Sequence, residues 1–293
     1  MLLGDYRIET IPDTEFRLDG GAMFGVVPRV LWEKICPPDE FNRIRLNTNC
    51  LFIETPTEKI LIETGIGEKW TEKEKKIYGI FRTKSFAETL FEKTDCKPED
   101  ISIVINTHLH FDHCGGNTIL PDELRITHYE SRESENQKLI PQFPNARYFI
   151  SKSELEHAEN PHERDKASYL SENWRPLQES GQLELKDDVY EVVKGLTMQQ
   201  VRGHNGSMQT VCLEKDNQTI YGFADLIPTR AHLSPAWIMG YDLFPLETLE
   251  NKKRLLQQAV AENWLCFFYH DFDAPLCRLT KVNGKLKAVK FDK

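Results

Sequence analysis

The sequence predicts an α/β (α+β) protein, a layered sandwich of two β-sheets covered by helices. Three observations predict it. Strand-like apolar runs fill two separate stretches, one in the first third of the chain and one from Val189 to Phe223. Helical spacing follows each, at Phe86 to Thr94 and at Leu246 to Asn263. No solenoid repeat, low-complexity tract or linker divides the chain, so residues 1–293 read as one domain. Sheets with one apolar face bury it by stacking, and helices cover what remains.

In chain order, Tyr6 to Ile11, Asn49 to Glu54 and Ile60 to Glu63 are short apolar runs bounded by turn residues and read as strands. Between the first two, Gly20 to Pro38 mixes Gly, Pro, Met23, Phe24, Leu31 and Trp32 without periodicity; it is either a packed connection or an apolar lid. Ile101 to Ile105 is a buried-type strand that runs straight into Thr107-His108. Ser153 to Glu156 has the spacing of a capping box, and the polar stretch from Asn160 to Ser180 extends it into a helical insertion at 151–180 with a solvated, charged face. Met198, Val211, Leu213 and Ile220 centre the later strands, and Leu265 to Tyr269 delivers His270 at its end.

Composition narrows the function classes. With 293 residues, 40% of them hydrophobic, the chain has ample material for a large core. Forty-six acidic against 37 basic side chains offer no general attraction to phosphate backbones, so nucleic acid is not an expected partner. No basic leader and no apolar stretch of spanning length stand in the sequence, which predicts a cytoplasmic protein with no membrane association. Seven scattered cysteines without a CxxC pair argue against a disulfide framework or a thiolate zinc knuckle.

The run Thr107-His108-Leu109-His110-Phe111-Asp112-His113-Cys114-Gly115-Gly116 places four metal-ligand side chains within six residues. A single histidine is most simply a packed or hydrogen-bonded one; four ligands at this density are not. His108 and His110, two apart, project from one side of an extended segment, whereas Asp112 and His113 need a turn. Imidazole with carboxylate suits Zn²⁺ and similar first-row ions, and the missing thiolates point to an open catalytic site.

This run resembles the HxHxDH signature of the metallo-β-lactamase superfamily. His204 in Gly203-His204, Asp225 in Phe223-Ala224-Asp225 and His270 in Tyr269-His270-Asp271 resemble the later ligands of that family, in its order. The intervals are 91 residues from His113 to His204, 21 to Asp225 and 45 to His270. The resemblance implies a four-layer αββα sandwich holding two divalent ions, by default Zn²⁺, with Mn²⁺, Fe²⁺ or Co²⁺ as alternatives. It puts His108, His110 and His204 on one ion, Asp112, His113 and His270 on the other, and Asp225 with a hydroxide between them. Such a pair lowers the pKa of a shared water from ~15.7 toward neutrality, which makes hydrolysis the implied reaction. Asp112 and Asp225 are the catalytic candidates, Asp112 also for the leaving-group proton. One departure is Glu63-Thr64-Gly65, where the family usually has Asp-Thr-Gly.

The block from Phe223 to Asp242 resembles the branch containing quorum-quenching lactonases and methyl parathion hydrolase. It implies a small-molecule ester or lactone substrate and a homodimer formed through apolar loops such as Gly20 to Trp32. Met23, Phe24, His232 and Trp237 are the candidate substrate-binding residues, although each apolar one reads equally well as core. Asp271 is a secondary candidate beside His270. The best-known N-acyl-homoserine lactonases carry a tyrosine three residues after the bridging aspartate; here that position is Pro228. A phosphotriesterase, a glyoxalase II-like thioesterase and a metal-binding protein without turnover are the alternatives.

Overall fold

The structure is a computed structural model that describes residues 1–121 and 138–291. The first sheet contains β1 (Leu2–Leu3), β2 (Tyr6–Asp19), β3 (Arg43–Glu54), β4 (Lys59–Ile62) and β5 (Ile103–Ile105). After a small ladder of β6 (Thr118–Ile119) and β7 (Ile140–Pro141), the chain returns to that sheet as β8 (Arg147–Ser151) and β9 (Leu183–Lys186). The second sheet is β10 (Val189–Val193), β11 (Leu196–Gln200), β12 (Gln209–Lys215), β13 (Gln218–Gly222), β14 (Leu265–Phe267), β15 (Leu276–Val282) and β16 (Lys285–Lys290), in sequence order. β4, β5, β8 and β9 run parallel to one another, as do β13 and β14.

Strand alternation assigns the layers. In the first sheet Leu51, Ile53, Ile60, Ile62, Ile103 and Ile105 face Met198, Val211, Leu213, Ile220, Leu265 and Phe267 of the second, forming the inter-sheet core. Phe52, Leu61, Val104 and Tyr148, at the intervening positions, face outward onto α4 (Phe86–Thr94) and α7 (Arg175–Glu179) through Phe86, Leu90 and Leu177. On the opposite side Tyr221 and Cys266 meet Leu255, Leu256 and Ala259 of α8 (Pro245–Ala261). The result is the αββα order expected from the sequence. α4 begins at Ser85, whose hydroxyl accepts from Glu88 N while the Glu88 carboxylate returns to Ser85 N, a complete capping box.

Three elements differ from expectation. β2 continues to Asp19 because a bulge between Pro12 and Glu15 lets it stay paired with β3. The helix α6 (Lys152–Glu159) is capped by Ser151 rather than Ser153, and Glu154 at the third position turns inward instead of closing a capping box. The rest of the 151–180 segment is two 3₁₀ turns and α7, and it is not simply a solvated face. Tyr169, Trp174 and Asn173 are buried, as is Asp165, which pairs with His157 at 2.7 Å.

The segment after β2 folds into α1 (Gly20–Phe24) and α2 (Arg29–Trp32), so it is a packed connection. Phe24 lies between Trp32, at 5.2 Å, and His232, stacked nearly parallel at 4.7 Å, with Trp237 edge-on. The His232 Nε2–H donates to the Met23 carbonyl at 2.8 Å, and Nδ1 accepts from Thr229 Oγ1. Outside this cluster Val26, Val30, Leu31 and Ile35 point to solvent.

Two stability outcomes follow. Phe86→Ala is expected to cost about 3–5 kcal/mol and Ser85→Ala about 1 kcal/mol in urea unfolding; equal effects would mean that α4 is not packed as described. Burial, and then the Lys252 cation, push His232 down to about 3. The unfolded chain protonates this imidazole near 6.5, so between pH 6.5 and 3 the unfolded state binds the extra proton and stability falls as pH falls, by up to about 1.4 kcal/mol per unit. Urea midpoints measured from pH 7 to 4 should drop less steeply in His232→Gln, and parallel curves would refute the assignment.

Candidate metal centre

Parallel strands deliver their C-terminal ends to one edge of a sheet, and the candidate ligands hang from such ends. β5 leads into Thr107-His108, β13 into Asp225 and β14 into His270. Immediately after His110, a one-turn helix, α5 (Phe111–Cys114), supplies the bend that swings Asp112 and His113 inward. Behind it Gly115 and Gly116 pack against the 63–67 turn so closely that a Cβ would meet the Ile66 carbonyl at 2.1 Å and the Thr64 carbonyl at 2.2 Å. The Gln209 N–H donates to the Thr107 carbonyl at 2.9 Å, and Asn49 N–H to that of Tyr269 at 2.9 Å, tying the two sheets together at this edge.

There all seven residues converge. His108, His110 and His204 form one group whose ligand atoms lie within 4.8 Å of one another, and Asp112, His113 and His270 form another. Asp225 stands between them. Its Oδ1 is 3.2 Å from both His113 Nε2 and His270 Nε2, and its Oδ2 is 3.6 Å from His204 Nε2. The His110 Nδ1 lies 3.0 Å from His204 Nε2, and His270 Nε2 lies 3.5 Å from Asp112 Oδ2.

The outward nitrogens are held by protein acceptors, which leaves the inward ones for a common centre. His113 Nδ1 faces Glu63 Oε1 at 3.3 Å, His204 Nδ1 faces Asp242 Oδ1 at 3.0 Å, and His270 Nδ1 faces the Asn47 carbonyl at 3.0 Å. His108 Nδ1 lies 3.0 Å from Thr107 Oγ1. Fixing the far nitrogen in this way sets tautomer and ring direction. Glu63 therefore does the work expected of the usual aspartate: Oε1 also accepts from Thr107 N at 3.1 Å and from the Thr107 hydroxyl.

The inward atoms fit divalent cations. His108 Nε2, His113 Nε2 and Asp225 Oδ1 are buried polar atoms with no hydrogen-bond partner, a costly arrangement in a protein interior, and His110 turns its Nδ1 toward His204 Nε2. Electrostatics say the same. Burial, and then neighbouring imidazoles, hold His108 and His110 well below the usual histidine range. For His113 burial acts downward, but the Asp225 and Glu63 carboxylates outweigh it and raise the imidazole well above that range. His204 is raised against burial by Asp242 and Asp225, and Asp225 is held far down against burial by His270 and His113. Positive charge is thus drawn toward the ionised Asp225, and a cation would supply that charge with all the imidazoles unprotonated and free to donate.

The other candidates are placed differently. Met23, Phe24 and His232 are packed into the aromatic cluster described above and present almost no surface to a substrate. Trp237 is half-buried at the edge of that cluster. Asp271 is taken up by Arg230, whose N–H and Nε both donate to Oδ2 at 2.9 Å. Pro228 gives its carbonyl to His270 N–H at 2.9 Å. Sequence reasoning missed Asp242, Glu154 and Tyr169. Asp242 lies 38 residues beyond His204, and Tyr169 stands edge-on to His110 at 4.7 Å from a segment without motif; neither carries a local signal.

Comparison with known proteins agrees with this geometry. The family described as the metallo-beta-lactamase superfamily matches residues 43–270. An N-acyl homoserine lactonase of Bacillus cereus is 25% identical over 252 residues, covering 79% of this chain and 84% of its own. A probable metal-dependent hydrolase from Staphylococcus aureus superposes with a TM-score of 0.86 at 28% identity, over 100% of this chain and 99% of that one. A dizinc quorum-quenching lactonase shares the fold at a TM-score of 0.77 and 18% identity, over 100% and 97% of the two chains. The ligand order, the αββα layers and the extent of the match together identify the chain as a member of the metallo-β-lactamase superfamily.

Proposed function

We propose that this metal-dependent hydrolase opens small lactones or cleaves small esters at a centre of two divalent ions, zinc by default. The observation that carries this reading is the pair of three-residue groups that share Asp225, whose two oxygens face opposite groups. When bound, such ions supply an activated water and a Lewis acid for the carbonyl oxygen. The protein's own part is to hold that centre. Asp225 spans the two groups, Glu63 and Asp242 keep His113 and His204 turned inward, and Asp112, beside His270, is placed to hold the proton that the leaving oxygen needs. Relatives that carry the name N-acyl homoserine lactonase support a lactone in particular.

Trp237 is the substrate contact in this reading, because it keeps exposed ring surface where Met23, Phe24 and His232 do not. The same reading takes residues 1–293 as one domain, since both halves contribute to the inter-sheet core. It also includes a homodimer, supported by the exposed Val26, Val30, Leu31 and Ile35, for which light scattering after size exclusion is the check. Among the described residues no helix is long and apolar enough to cross a membrane.

The test is turnover of lactones, aryl esters, glutathione thioesters and phosphotriesters by metal-replete protein, with metal content measured alongside. Lactone or ester hydrolysis is expected to dominate, and thioester or phosphotriester preference would replace this substrate assignment. Two bound ions with no turnover of any of the four classes would make the chain a metal-binding protein instead. His110→Ala and Asp225→Ala should each lower metal content and cut turnover by about a hundredfold or more, since losing a ligand costs at least as much as losing its outer support. Chelation should abolish activity and added Zn²⁺ restore it; full activity of either variant would refute the site.

A further inference from the structure

Glu154 is completely buried on α6, yet it is no part of the seven-residue cluster. Its Oε1 accepts from Leu109 N–H at 2.7 Å and from the Tyr169 hydroxyl at 3.2 Å, and its Oε2 from Ser207 Oγ at 2.5 Å and Asn205 Nδ2 at 3.2 Å. A carboxylate has only acceptors to offer, and all four partners donate. Removing such a group from water is costly, so it is tolerated only where the donors are fixed.

The placement of those donors is selective. Leu109 lies between His108 and His110, and Asn205 follows His204 directly. Asn205 Nδ2 also donates to the Tyr169 hydroxyl at 3.0 Å, and the Tyr169 ring stands against His110. The second group is tied down by other means: Tyr269 OH donates to the Asp112 carbonyl at 2.7 Å, Glu63 holds His113 and the Asn47 carbonyl holds His270.

Resting on the two-ion reading above, we propose that Glu154 is a positioning residue that joins the two loops of the His108, His110 and His204 group, and so governs the affinity of that metal position alone. Glutamine at 154 keeps the volume but not the pattern. Its amide nitrogen must face either Leu109 N–H or Asn205 Nδ2, and neither can accept, so one of the two loop ties is lost in either orientation.

The experiment is titration of the metal-free full chain with Zn²⁺ against a chromophoric chelator, with histidine ¹⁵N spectra recorded at each equivalent. Wild type should take two equivalents. Glu154→Gln should weaken one of them by about 10–100-fold and leave the other unchanged, the range known for outer-shell changes. The spectra at one equivalent should then report His113 and His270 shifted, with His108, His110 and His204 still free. Ser207→Ala, which removes one donor and keeps the carboxylate, should weaken the same equivalent by a smaller factor. Equal weakening of both equivalents, through loss of fold or otherwise, overturns the proposal, as does unchanged binding in both variants. Wild type taking fewer than two equivalents would overturn the two-ion reading and this inference with it; two in wild type and two unchanged in Glu154→Gln overturns this inference alone.

Discussion

The buried Asp225 carboxylate is the constraint around which the rest is arranged. It sits among His113, His204 and His270 and is almost wholly removed from water. A charge in that position is tolerable only if positive charge is brought to it, by protonated imidazole or by metal. The rise in His113 and the fall in Asp225 are two sides of the same demand. Everything that surrounds the cluster serves to keep these mutually dependent groups from relaxing apart.

The fold meets that demand by converging strand ends. The ligand side chains come from four separate stretches of chain, at 108–113, 204, 225 and 270, and the layered packing brings them together because parallel strands place their ends on the same side. Outer contacts then fix each ring: Glu63, Asp242 and the Asn47 carbonyl come from three different elements and each holds one imidazole. Disorder in any one of those elements would reach the centre through a single hydrogen bond. Rigidity of the scaffold is thus part of the chemistry rather than a background to it.

Much of this was legible from the residues alone. The ligand set was readable because four of its members crowd into one short run, and the layers because strand and helix periods differ: Phe86 to Thr94 carries a helical spacing and a complete cap, and its bounds agree with α4. What stayed hidden depends on tertiary contact. The Pro12–Glu15 bulge lengthens β2 through pairing with β3, and no local pattern marks it. Ser153 and Ser151 offer equivalent capping spacings, and only the inward demand on Glu154 decides between them. Phe24 reads as a pocket residue because an aromatic in a glycine-rich loop looks the same whether it faces a substrate or another ring, and His232 because it lies a few residues from Asp225; their mutual stacking, across more than 200 residues, has no local mark.

The meeting of Gly115 and Gly116 with the carbonyls of Ile66 and Thr64 leaves no room for even a methyl group. The two loops meet there backbone to backbone, so neither glycine can accept a side chain unless the facing turn retreats, and retreat would pull on His113, whose carbonyl accepts from Thr64 N–H. Divergence among descendants of this chain is thereby channelled away from the centre. New specificities must arise where the packing is looser, in the solvent-facing turns around Val26 and in the loop that bears Trp237.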